Sequence, residues 1–144
     1  MKVTQISCFI ENRPGRLHAA CEALASRRIN IHTLSLADTA EFGILRLIVA
    51  EPDAGKAALD AAGYVTRKTE VLAVEVPDDA GGLASVLAKA DTAQLNIEYM
   101  YAFSTEVGAR AVVIMRFSEP DRAVEALQRA GVNLVAPIAL LAKA

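Results

Sequence analysis

Residues 3–10, VTQISCFI, alternate between apolar and polar positions with Ile6, Cys8 and Ile10 on one face, and this period of two predicts a strand. After a short polar break the period changes. Leu17, Ala20, Cys21, Leu24 and Ala25 recur at helical spacing. Two further apolar runs, NIHTLSLA and FGILRLIVA, flank the turn-like DTAE and predict a hairpin. Pro52 and Asp53 open a second helix whose apolar stripe is Ala54, Ala57, Ala58 and Ala61, and Gly63 suits the left-handed position past its end. The same succession then returns: a strand at VLAVEV, a helix with Leu83, Val86, Leu87 and Ala90 on one face, and strands at NIEYMYAF and ARAVVIMRF. A helix with Ala123, Val124, Leu127 and Ala130 on one face follows, then a last strand at LVAPIALL. Pro137 cannot donate to a ladder, so that last strand is expected at an edge or a bulge.

The return is a duplication. Gly15, Leu17, Asn30 and Ile31 recur at Gly81, Leu83, Asn96 and Ile97 with a constant offset of 66. From the second helix onward the offset is 68, which pairs Glu51, Pro52, Asp53, Ala58, Leu59 and Gly63 with Glu119, Pro120, Asp121, Ala126, Leu127 and Gly131. The two extra residues fall at a hairpin tip, where a change of length disturbs little burial. The expected organisation is therefore two units, 1–69 and 70–144, each reading strand, helix, strand, strand, helix, strand. This βαββαβ order is the ferredoxin-like plan of the α+β class, an antiparallel sheet with both helices on one face. No Pro/Gly linker separates the units; TRKTEVLAVEV runs on as near-continuous strand, so a rigid joint is expected.

Composition narrows the function classes. Of the 144 residues 53% are hydrophobic, enough for a dense core. The formal charge of −2 and the lack of any basic run longer than Arg27 and Arg28 leave no surface for tracking phosphates, so no nucleic acid partner is expected. The opening MKVTQISCFIENRPG has too short an apolar stretch for a signal core or a membrane span, which predicts a cytoplasmic protein with no membrane partner. Cys8 and Cys21 form no CxxC pair, in keeping with a reducing compartment. Both fall on expected core faces and read as packing, not as nucleophiles. His18 and His32 have no matching histidines in the second unit, where Glu98 replaces His32, so no metal site is expected. Arg46 and Arg116 interrupt apolar strands and are expected on the sheet face away from the helices, solvated or paired across an interface.

The candidate chemistry lies where each first strand gives way to its helix, at ENRPGRL and DDAGGL. A loop that ends at a helix N-terminus presents unpaired N–H groups and the positive end of the helix dipole, both suited to a carboxylate. Gly15 and Gly81 permit positive φ or a close approach of backbone to ligand. A tight turn with no ligand is the competing reading of either glycine. The two loops differ in charge. Glu11, Arg13 and Arg16 offer a basic partner for a carboxylate in the first; Asp78 and Asp79 favour an ammonium in the second, where Gly82 replaces Arg16 and is expected to give more room.

ENRPGRL followed by RRINIHTL, and DDAGGL followed by AQLNIEYM, resemble the signature of the ACT domain: a glycine loop after the first strand, a helix, then Asn-Ile opening the second strand. The resemblance covers the whole chain and is to stand-alone tandem ACT proteins in particular. It implies a non-catalytic regulatory protein, allosteric in kind, that senses a free amino acid at ACT–ACT interfaces, without cofactor, as a homodimer. Carried onto this chain, it places ligand-binding residues at Asn12, Arg13, Pro14, Gly15, Arg16 and Leu17 with Asn30 and Ile31, the Asn-Ile strand lying across a domain junction from the loop. In the second unit it places them at Asp78, Asp79, Ala80, Gly81, Gly82 and Leu83 with Asn96 and Ile97. Either asparagine has a plainer reading as a cap on the turn into its strand. The alternative function is a structural adaptor that dimerises or holds a partner metabolic enzyme without binding a ligand. An enzyme is not expected, because no nucleophile, base and orienting group cluster or recur.

Overall fold

A computed structural model describes residues 1–38, 42–103 and 110–141. The elements are β1 (Val3–Glu11), α1 (Arg16–Ala25), β2 (Ile31–Asp38), β3 (Phe42–Val49), α2 (Pro52–Ala61), β4 (Val65–Pro77), α3 (Gly82–Thr92), β5 (Ile97–Phe103), β6 (Arg110–Phe117), α4 (Pro120–Arg129) and α5 (Pro137–Leu141). The chain divides into two compact units, an N-terminal one from Thr4 to Thr69 and a C-terminal one made of Met1–Val3 and the chain from Glu70 on. Strand β4 contributes residues to both.

In the N-terminal unit the strands run in the order β2, β3, β1 and the first part of β4. The antiparallel register sets Ile6 opposite Leu47 and Cys8 opposite Leu45, and β2 adds Leu34 and Leu36 opposite the same two leucines. Because opposed residues share a face, Ile6, Cys8, Ile10, Leu45, Leu47 and Val49 form one apolar surface, which packs against Ala20 and Leu24 of α1 and Ala58 and Leu59 of α2. Both helices therefore cover one face. Gly55 decides how closely α2 approaches: a Cβ there would stand 2.9 Å from Val49 and 3.1 Å from Ile6. This shifts the buried stripe from the expected one. Gly55, Ala58 and Leu59 face the sheet while Ala57 and Ala61 face solvent. In α1, likewise, Ala20 and Leu24 are buried and Leu17 and Ala25 are exposed. One ion pair, Lys68–Asp53 at 2.6 Å, joins α2 to β4; Lys56–Asp60 at 2.8 Å lies within α2, and Thr66 of β4 bonds both its members.

The C-terminal unit repeats the plan with β4 from Glu70 on, β6 and β5. Leu72 faces Met115 and Val74 faces Val113, and these residues pack on Val86 and Ala90 of α3 and Ala123 and Leu127 of α4. The expected last strand is corrected here. Only residues 133–135 run beside β4, with Glu75 N–H donating to Asn133, Val135 N–H donating to Ala73, and one bridge between Val74 and Leu134. Pro137 then opens α5, since its fixed φ and missing N–H suit the first position of a helix better than a ladder. Residues 39–41, which hold most of the DTAE turn, and 104–109, which hold the tip assigned the two extra residues, lie outside the described residues.

The duplication extends to backbone angles. Positive φ occurs among the described residues at Gly15, Arg28 and Gly63 (88°, 57° and 89°) and again at Gly81, Gln94 and Gly131 (87°, 54° and 81°). Arg28, Gly63, Gln94 and Gly131 each end a helix in the same way. The next N–H reaches five residues back, from Ile29 to Leu24, Tyr64 to Leu59, Leu95 to Ala90 and Val132 to Leu127. These are Schellman closures, and each brings an apolar residue back onto the core beside the residue it bonds. A Cβ added at Gly63 or Gly131 would meet nothing within 4 Å, so the glycines answer to φ alone. We expect Gly63→Ala and Gly131→Ala each to cost about 1–2 kcal/mol in urea unfolding, from left-handed strain less the unfolded-state entropy gain. Gln94→Gly, by the same physics, should be neutral or stabilising; a loss comparable to that of Gly63→Ala would contradict the assignment.

Candidate functional site

Each glycine loop is a turn that ends on a helix. In the first, Arg16 N–H reaches Arg13 at 3.4 Å, with Pro14 and Gly15 between them. In the second, Gly82 N–H reaches Asp79 at 3.1 Å around Ala80 and Gly81. The third residue of each turn has φ near +88° and ψ near zero, the geometry of a type II turn, for which Pro-Gly is the favoured central pair. The same glycines are the N-caps of α1 and α3, and neither helix has a side-chain cap. Among the described residues the main-chain N–H groups of Leu17 and His18 have no partner, nor do those of Leu83 and Ala84; the bonds resume at Ala19 to Gly15 and Ser85 to Gly81. Two unpaired donors per loop at a positive dipole end can take an anionic oxygen. A Cβ at Gly15 or Gly81 would meet nothing within 4 Å. The glycines thus supply the turn, and the space before the helix is open.

Flanking side chains differ between the loops. In the first, Asn12, Arg13, Pro14 and Gly15 are exposed, but Arg13 Nε is held by Glu11 at 2.9 Å. Arg16 is also committed. Its guanidinium lies 4.7 Å from the centre of the Tyr64 ring, and the Tyr64 hydroxyl donates to the Arg16 carbonyl at 2.8 Å. Arg16 Nε is buried without a partner. Sequence reasoning missed Tyr64, although its replacement by Val132 at the 68-residue offset was visible.

In the second loop Asp78, Asp79, Ala80 and Gly81 are exposed and Leu83 is half-buried. Gly82 is buried, and a Cβ there would overlap the Pro77 carbonyl and lie 3.1 Å from Asp79 Oδ1. The expectation that Gly82 makes room for a ligand is therefore corrected: its missing side chain lets the loop close on itself. The carbonyl of Gly82, the counterpart of Arg16, takes the Ser85 hydroxyl at 2.8 Å in place of a tyrosine.

The asparagines close strands. Ala50 N–H donates to the Asn30 carbonyl and Ser118 N–H to that of Asn96, both at 3.1 Å, while Asn96 Nδ2 also bonds Ser118 Oγ at 2.8 Å. The Asn30 side chain is exposed with no partner among the described residues, and Ile31 and Ile97 are half-buried beside them. Within one unit a ten- or eleven-residue helix, about 15 Å long, separates the glycine loop from its asparagine. A single unit does not bring the two together.

Cys8, Arg46 and Arg116 lie within strands β1, β3 and β6. Cys8 is fully buried, and loss of water, with a smaller push from Asp60, raises its thiol from the ordinary value near 9 to about 11 against the pull of Arg16. Arg116 lies on β6 and is engaged within its unit, by the Glu70 carbonyl at 2.7 Å and Glu98 at 3.6 Å. Arg46 faces Ser7 and Ser35, on the side of the sheet away from the helices. Among the described residues no group of three potential ligands could hold a metal ion, and no helix is long and apolar enough to cross a membrane.

Two ferredoxin-like units, each with a type II glycine turn capping its first helix, define a paired α+β fold. A family model described as an ACT domain pair matches residues 1–142, and the chain belongs to that family. A crystal structure of a Bacteroides thetaiotaomicron protein is similar along nearly its whole length, with TM-score 0.91 and 38% identity over 98% of this chain and 96% of that one. The ligand-free regulatory subunit of aspartate kinase from Thermus thermophilus has the same fold at TM-score 0.58 and 20% identity, over 88% of this chain and 91% of that one. Its counterpart from Thermus flavus gives 0.59 and 20% over 89% and 92%. No curated protein sequence matches.

Two outcomes are expected from this geometry. Gly82→Ala should destabilise by about 2–4 kcal/mol in chemical denaturation, as a clash with rigid backbone does, and more than Gly81→Ala, which meets only backbone strain. Native protein at pH 8 should be alkylated by iodoacetamide at half-buried Cys21 and not at Cys8. A folded thiol that keeps its proton contributes stability present below pH 9 and lost as pH rises toward 11. Rapid native labelling of Cys8 would overturn the buried assignment.

Proposed function

We propose that this ACT domain pair is a non-catalytic regulatory protein that binds a free amino acid at its glycine loops. The observation that carries the reading is the twin caps: two helix N-termini, each with two unpaired N–H groups and open space in front, built by a turn that occurs twice. An α-carboxylate fits those donors. The exposed carboxylates Asp78 and Asp79 suit an α-ammonium at the second loop. At the first loop the only anion is Glu11, already paired with Arg13. Unequal affinities at the two loops follow. Because a helix length separates loop from asparagine within a unit, the second wall of each site comes from the Asn-Ile strand of another ACT unit. A homodimer in the cytoplasm, regulating a metabolic enzyme, is the setting this reading assumes.

The second reading is an adaptor that holds a partner enzyme without a ligand. Its support is the occurrence of the same fold as the regulatory subunit of aspartate kinase in Thermus, a likeness of fold alone.

A thermal-shift screen of the twenty amino acids separates the two. At a concentration of about 100 times Kd, binding adds roughly 2.7 kcal/mol, or about 5–10 °C in Tm for a chain of this size. Gly15→Val and Gly81→Val, each placing a β-branched residue at positive φ, should weaken binding unequally by calorimetry. If no amino acid at millimolar concentration moves the melting curve, the adaptor reading replaces this one.

A further inference from the structure

The two units differ most at one corner of the fold. In the C-terminal unit a cavity of about 430 Å³ lies between the end of β4, the first two turns of α3 and the turn after α4. Its charged and polar walls are Glu75, Lys89, Arg110 and Asn133, and Pro77, Val86 and Val132 supply apolar surface. The repeat offsets place Phe9, Ala23, Phe42 and Val65 where Glu75, Lys89, Arg110 and Asn133 stand. Tyr64 occupies the position of Val132, and its phenol crosses to the Arg16 carbonyl beneath the Arg16 guanidinium. The N-terminal unit thus fills this corner with an aromatic ring and an arginine stem. Val132 leaves it open.

The open corner is chemically organised. Glu75 accepts from Arg110 Nε at 3.0 Å and from Asn133 Nδ2, so the carboxylate is satisfied and the arginine is held in place. Since Nε makes that bond, the two terminal nitrogens of Arg110 have no partner among the described residues, and the Lys89 ammonium has none either. Among the lining residues one carboxylate stands against two cations, a net charge of +1 (2 − 1). A guanidinium fork and an ammonium are the groups that bind a carboxylate by charge-assisted hydrogen bonds, and the valines and proline beside them suit a short apolar tail.

We infer that this cavity is a binding site for a small organic monoanion, a carboxylate with an apolar tail of a few carbons, present in the C-terminal unit and plugged in the N-terminal one. The site is separate from the glycine loops and does not depend on amino-acid binding there.

The test uses the full chain, labelled with ¹⁵N and titrated with sodium isovalerate, with isovaleramide as the neutral analogue of equal shape and sodium chloride as the ionic-strength control. Saturable shifts at the amides of Ser85, Lys89, Val132 and Asn133 are expected with isovalerate, and binding of isovaleramide weaker by about tenfold or more, as loss of a charge-assisted bond implies. Val132→Tyr, which copies Tyr64, should abolish the shifts; exposed Lys89→Gln, which leaves the core untouched, should weaken them by roughly fivefold or more. Gly15→Val should leave them unchanged, which keeps this result independent of the loops. The inference is overturned if millimolar isovalerate gives no saturable shift at these amides. It also fails if the amide binds equally well, or if Lys89→Gln and a folded Val132→Tyr both bind as the parent does.

Discussion

The need to turn the chain through left-handed backbone at fixed points governs this structure. Among the described residues six with positive φ, three in each unit at matching places, set where α1 and α3 begin and where all four long helices end. Once a helix's first and last residues are fixed, its 3.6-residue period decides which side chains meet the sheet. Each closure then lowers an apolar residue, Ile29, Tyr64, Leu95 or Val132, into the core it has just completed. Core packing and the open space before α1 and α3 therefore share one cause. The residues doing this are glycines at four points and Arg28 and Gln94 at two, where the Schellman hydrogen bonds hold ordinary side chains in a conformation they disfavour.

Much of this was legible from the chain. The change of period at Leu17 and its return at Leu83 located α1 and α3, and Gly63 and Gly131 marked the ends of α2 and α4 because only glycine takes that angle freely. What escaped had specific reasons. The stripe on α2 was read from four alanines, whose small side chains say little about which face is buried; Gly55, with no side chain at all, marks the face that touches Ile6 and Val49. LVAPIALL has the composition of a strand, but Pro137 starts a helix there, and the ladder beside β4 is carried by residues 133–135. Gly82 looked like space for a ligand because a sequence does not show that the Pro77 carbonyl already fills it.

The candidate site was less legible than the fold, for a reason of scale. The turns are local, written in four consecutive residues each, so RPGR and DAGG announce them. The partners of their side chains are remote. Arg16 meets a tyrosine 48 positions away, and Glu75 meets Asn133 at a distance of 58. The first of these contacts redirects a charge that inspection of the loop alone would assign to a ligand. Duplication made the difference informative: the same two positions of the fold hold Arg16 with Tyr64 in one copy and Gly82 with Val132 in the other. Two copies of a scaffold have thus diverged in what they leave accessible while keeping the same backbone angles.

The first three residues belong to the C-terminal unit, where Lys2 bridges Glu70 at 3.2 Å and Asp121 at 2.8 Å. Lys2 precedes Glu70 by 68 positions and Asp121 by 119 (70 − 2 and 121 − 2), so it is made well before either partner. At about 5–20 residues per second, Asp121 emerges roughly 6–24 s after Lys2. The N-terminal unit can assemble from Thr4 onward during that interval, with Lys2 still lacking Asp121. Lys2 can complete this bridge only once Asp121 has been made, so a substitution at Lys2 bears on the C-terminal unit although the residue lies beside the strand that opens the N-terminal one.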